Sequence, residues 1–92
     1  MAAVEKTLEE RGTVYGDYAG GLKFRRAVLD LIYARYGEVH NDNMTDEEKD
    51  YFVDLVGKIS RLAVSPTHED SWLDVAGYSL LVKEVIKNGS SR

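Results

Sequence analysis

The sequence predicts an all-α protein: a small helical bundle with a short N-terminal helix and three main helices. Three observations carry this. Apolar residues recur at three- and four-residue spacing through 22–36, 45–64 and 66–87, which is the period of a helix face. Thr45 followed by Glu48 forms a capping box ahead of the second of these segments. Short polar or proline-containing stretches separate the segments, and the link after residue 64 is brief enough to make the last two an antiparallel hairpin.

The 92 residues make one domain, divided into an N-terminal arm and glycine-rich loop (1–21), a helical core (22–87) and a tail (88–92). Residues 2–11 suit a short helix anchored by Val4 and Leu8, marginal unless docked. Residues 12–21, GTVYGDYAGG, hold four of the eight glycines. They match neither the GxxxxGKS/T order of a phosphate loop nor the GxGxxG of a dinucleotide turn. They read as a connection, with Val14, Tyr15 and Tyr18 as anchors, or as a loop offering backbone N–H groups and a ring to a ligand.

The helix over 22–36 carries Phe24, Val28, Leu31, Ile32 and Tyr36 on one arc, with Gly37 as its C-cap. Arg25 falls inside that arc, and Arg35 lies near Val28. An arginine in such a place pairs with a carboxylate such as Asp70 or Asp74, meets an anionic ligand, or snorkels to solvent. Residues 37–44 form a polar loop with His40 exposed.

The helix over 45–64 places Tyr51, Phe52, Leu55, Val56, Ile59, Leu62 and Ala63 on one side. Glu47, Asp50, Asp54, Lys58 and Arg61 occupy the other. Asp54 and Lys58 have the spacing of an i, i+4 ion pair. In the last helix Thr67 is the expected cap, with Asp70 three residues on. Trp72, Leu73, Val75, Ala76, Leu80, Leu81, Val82, Val85 and Ile86 then cover most of the circumference. The polar gap holds Asp70 and Asp74, beside Gly77. A helix apolar almost all round predicts that protein wraps it. The expected partner is therefore a second copy, two hairpins completing a four-helix core.

A net charge of −4 argues against a broad nonspecific DNA-binding surface. The sequence contains no cysteine, so disulfides and cysteine metal knuckles are excluded. No apolar run is long enough to span a membrane, the N-terminus lacks a basic-then-apolar leader pattern, and the cytoplasm is the expected compartment. Six tyrosines and one tryptophan suit a nucleotide pocket, an oligomer interface or a core filled by large side chains.

Two constellations carry chemistry. Asp50 and Asp54 on one helix, and Asp70 and Asp74 on the next, are the candidate metal ligands. Carboxylate pairs on two antiparallel helices can hold Mg²⁺. The ion would bridge substrate phosphates and help form an attacking hydroxide, with Asp70 and Asp74 as the catalytic pair. Asp50 and Asp54 belong to the side opposite the apolar face, so a neighbouring subunit is expected to bring the two pairs together. Lys23, Arg25, Lys58 and Arg61 are the candidate phosphate ligands, and Tyr15, Tyr18, Trp72 or Tyr78 can stack on a base. The plainer reading of both sets is a solvated, mixed-charge surface. His68, in the first turn of the last helix, is a candidate proton donor at a pocket mouth.

The order ERGTVYGDY … LVGKISRLAVSPTHEDSWLDVAGYSLLV resembles a group of small phage and prophage proteins. These in turn are similar to the all-α MazG-like nucleoside triphosphate pyrophosphohydrolases. The resemblance spans most of residues 10–86 and rests on Tyr15-Gly16-Asp17, Lys58, Arg61, Asp70, Trp72, Asp74, Gly77 and Tyr78. It implies nucleotide binding and Mg²⁺ held by an ExxE element on one helix and an ExxD element on the next. Asp74 stands where the second element's aspartate is expected, with Asp70 one turn earlier. Glu47 and Asp50 have the spacing of the first element but an outward face. The resemblance therefore implies either a Mg²⁺-dependent pyrophosphohydrolase or a noncatalytic binder that sequesters a nucleotide signal of host defence in the host cytoplasm. A structural or regulatory homo-oligomer without ligand is the third expectation.

Overall fold

The structure, a computed structural model, describes residues 17–89. The helix expected over 2–11, and Tyr15, lie outside the described residues. Those described form three helices, α1 (Tyr18–His40), α2 (Asp46–Val64) and α3 (Glu69–Gly89), and no strand. The middle helix organises the bundle: α1 packs on one side of α2 and α3 on another.

The first helix begins earlier than its periodicity predicts. Asp17 is extended (φ −77°, ψ 151°), and its carboxylate accepts the Gly20 N–H at 2.7 Å. One orphan donor of the first turn is thereby satisfied. Gly20 and Gly21 are helical, where the sequence suggests a loop. A Cβ at Gly20 would stand 2.7 Å from the Asp17 carboxylate, so the cap itself excludes a side chain there. At the far end the helix runs through Gly37, and the stop is Asn41. Its φ of 52° is left-handed, and its N–H donates to the Gly37 carbonyl at 2.9 Å. Asparagine tolerates that conformation better than most residues.

Val28, Ile32 and Tyr36 are half-buried as the α1 arc predicts, but Leu31 is 71 % exposed. Arg25 resolves by position: its Cδ lies 3.9 Å from where a Cβ on Gly57 would stand. Its aliphatic stem thus runs over a glycine of α2. Arg35 is a surface residue, paired with Glu38 at 3.1 Å.

The capping box at α2 is present in both directions. Glu48 N–H donates to Thr45 Oγ1 at 3.2 Å, and Thr45 N–H donates to Glu48 Oε1 at 2.9 Å. Met44, just ahead of it, is buried with Val56 and Leu62, and Ser60 meets Gly21 of α1.

Four residues, 65–68, link α2 to α3. His68 stands immediately before the helix, its ring nitrogen 2.8 Å from Ser71 Oγ. The junction therefore falls at His68, not at Thr67, and the helix runs to Gly89, into what the sequence reads as tail. Trp72 Nε1 donates back to the Pro66 carbonyl at 2.8 Å.

The third helix is not wrapped by the described residues of one chain. Ser71 is its one buried residue among those described, while Leu73, Leu80 and Leu81 are 70 %, 64 % and 66 % exposed. The cause is geometric: α1 and α3 both lie on α2, and no described helix covers the outer side of α3. No helix among the described residues is long and apolar enough to cross a membrane.

The capping box yields a test. Thr45→Ala should cost about 1 kcal/mol, read as a lower midpoint in urea unfolding with an unchanged slope. Glu48 sits below the usual carboxylate range, first because the Thr45 backbone N–H bonds it and then through the Thr45 side chain. A depressed native pKa gives stability that is full above the unfolded value and lost as pH falls through the native one. That acid-side loss should be shallower in Glu48→Ala than in the parent chain.

Candidate functional site

The groove between α2 and α3 collects four of the residues singled out from sequence, around Tyr78. This half-buried ring reaches across from α3, and its hydroxyl donates to the Tyr51 carbonyl of α2 at 3.0 Å. The Lys58 ammonium lies 5.4 Å from the ring centroid, a cation–π distance. The Tyr78 phenol is pushed above its ordinary range, chiefly by burial. The neighbouring Asp54 carboxylate adds to the shift, and Asp50 adds to it by its charge. Asp50, Asp54, Lys58 and Tyr78 thus share one site.

Asp50 and Asp54 are themselves exposed, as expected of the side of α2 opposite its apolar face, and act on the Tyr78 ring from the edge of the groove. Lys58 accordingly turns to this ring rather than to Asp54, its expected i, i+4 partner. Arg61, one turn beyond Lys58, is exposed on the same edge of α2.

Asp70 and Asp74 are exposed on α3. Asp74 lies one turn before Tyr78, on the side that borders the groove. Among the described residues no group of three or more histidines, aspartates or glutamates stands close enough to hold a metal ion. Trp72 is well round the helix from Tyr78, and its indole N–H is engaged by Pro66. Gly77 opens onto free space. Lys23 and Arg25 are elsewhere. With Arg26, Asp30 and Tyr33 they line a basic recess of about 600 Å³ on α1. The predicted phosphate ligands therefore divide between two places. Tyr18 is exposed at the start of α1. His68 is engaged with Ser71 at the α2–α3 junction.

Sequence reasoning missed an apolar recess of about 620 Å³ near the C-terminal ends of α1 and α3 and the start of α2. Tyr36, Met44, Phe52, Leu55, Val82 and Ile86 line it, with Glu47 and Glu48 also at its wall. Its only signal in the sequence is a surplus: the apolar side of α2 is wider than two neighbouring helices can cover.

The groove's chemistry is that of oxygen donors beside a cation. Two carboxylates suit a hard divalent ion such as Mg²⁺, which keeps several waters and takes few protein ligands. An ammonium one turn away suits a phosphate. The raised phenol gives a direct check. A raised native pKa means stability that holds below the unfolded value, near 10, and is lost as pH rises through the native one. In an ultraviolet titration one tyrosine should ionise later than the others. Tyr78→Phe should remove that late step, and Asp54→Asn should move it earlier.

Comparisons with protein-family models, with curated proteins and with solved structures give no match to this chain.

Proposed function

We propose that the α2–α3 groove binds a nucleoside phosphate together with Mg²⁺, as the resemblance to MazG-like proteins implies. The observation that supports this most is the meeting of Asp50, Asp54, Lys58 and Tyr78 in one groove, since these residues were picked out for separate metal, phosphate and base roles. Asp50 and Asp54 would hold the ion, with Asp74 at the groove edge. When bound, the ion supplies charge neutralisation on phosphate oxygens and a more acidic water. Lys58 and Arg61 offer positive charge to the phosphate, and Tyr78 fixes Lys58 through its ring.

Binding without turnover is the second reading. It is favoured by the absence of a three-carboxylate cluster among the described residues. MazG-like hydrolysis uses acidic elements on both helices, and one chain brings two acids to Tyr78.

A thermal-shift and calorimetric screen of linear and cyclic nucleotides, with and without Mg²⁺, tests the site. A nucleoside triphosphate should raise the melting temperature more with Mg²⁺ than without. Asp54→Asn should abolish the Mg²⁺ increment, and Lys58→Ala should weaken binding about tenfold, roughly one charge-assisted contact. Pyrophosphate release lost in Asp74→Ala assigns the enzyme. Saturable binding without release assigns the sequestering protein. If no nucleotide shifts the melting temperature under any condition, the site reading fails.

A further inference from the structure

We propose that the flank of α1 between Leu22 and Tyr33 is the seat of residues 2–11 of this chain, laid antiparallel to α1 as an added helix. The recess of about 600 Å³ on that flank has Leu22, Leu29 and Tyr33 along its middle and Lys23 and Arg26 along one edge. Among the described residues its walls come from α1 alone, so a facing wall has to come from outside them. Leu22 is 44 % exposed there. Three cations of the recess, Lys23, Arg25 and Arg26, stand against one acid, Asp30. Among the described residues the ion pair on α1 is Arg35 with Glu38, and these three cations have none.

Length and attachment favour this occupant. Asp17 caps α1, so residues 12–16 alone separate the segment from it. A link of that length joins neighbouring antiparallel helices. As a helix, residues 2–11 span about 15 Å, and the rise from Leu22 to Tyr33 is about 16 Å. So short a helix does not hold unaided in water. A short tether supplies it at an effective concentration on the order of 1 mM, so weak contacts suffice to seat it.

Charge and pattern agree with the direction. On a helical wheel Val4 and Leu8 share a line, and Glu5 and Glu9 run beside it on one side. On α1, Leu22 and Leu29 share a line, and Arg26 and Lys23 run beside it on one side. Antiparallel packing reverses the sense of one wheel, so the acidic edge of the segment meets the basic edge of α1. The short link sets the register. Leu8 falls level with Leu22, Glu9 with Lys23 and Glu5 with Arg26, and Val4 points toward Leu29. Asp30 comes opposite Ala2, where there is no second acid. Lys6 and Glu10 face solvent, and Arg11 stops level with Gly20, more than a turn short of Arg25. This seat lies on α1, away from the Tyr78 groove, so it does not rest on the nucleotide reading.

A spin label on the full chain tests it. The sequence has no cysteine, so Ala3→Cys, on the solvent side of the added helix, carries a nitroxide at one place. Amide signals of residues 25–32 should broaden more than those of residues 80–86 on the outer side of α3. Hydrogen exchange reads the seating itself. Reversing the basic edge (Lys23→Glu with Arg26→Glu) should speed exchange at the amides of residues 6–10 about tenfold, the effect of two exposed ion pairs lost and made repulsive. Reversing the acidic edge (Glu5→Lys with Glu9→Lys) should do the same, and the four changes together should restore the slow exchange. Leu8→Asp should abolish the protection of residues 6–10 and leave that of α2 intact. Even broadening, stronger broadening at residues 80–86, protection that survives Leu8→Asp, or no rescue in the fourfold variant would each overturn the proposal.

Discussion

Among the described residues Val56 is the one large side chain closed off from solvent completely, and both flanking helices take their places from the helix that carries it. Everything else follows from how little lies beside it. Met44 and Leu62 are the other buried apolar residues among those described. A core this thin cannot offset the ordering of three long helices by a wide margin. Local devices therefore matter more than usual. The Asp17 cap, the reciprocal Thr45–Glu48 bonds and the left-handed Asn41 each settle an end that packing alone would leave to fray.

The helical class was legible because it depends on local rules: period, caps and breakers. The Thr45 box is an unambiguous local signal and sits where it was read. The errors fall where two local rules compete. Gly37 looked like a terminator, but Asn41 takes the left-handed turn and the helix runs on. Gly20 and Gly21 looked like loop, but Asp17 caps them into α1. The apolar circumference of α3 was visible in the sequence. That the other described helices leave it uncovered was not, because burial depends on how many neighbours arrive and from where.

The groove was half legible. Its residue types could be listed from spacing and resemblance, but their convergence depends on the line along which α3 meets α2. A wheel of α2 alone assigns Asp50 and Asp54 to solvent, where they lie, and it has no means of showing that the Tyr78 ring reaches across from α3 to feel their charge. Lys23 and Arg25 share the charge of Lys58 and Arg61 but sit on another helix, and composition has no means of separating the two sets.

The short link between α2 and α3 has one more implication. Trp72 is the sole indole of the chain; its N–H closes the link on Pro66, and its half-open ring flanks the outer side of α3. Loosening of the corner and shielding of the flank would both alter the polarity around this one fluorophore. The protein thus carries a native optical probe at the seam between the α2–α3 corner and its outer surface.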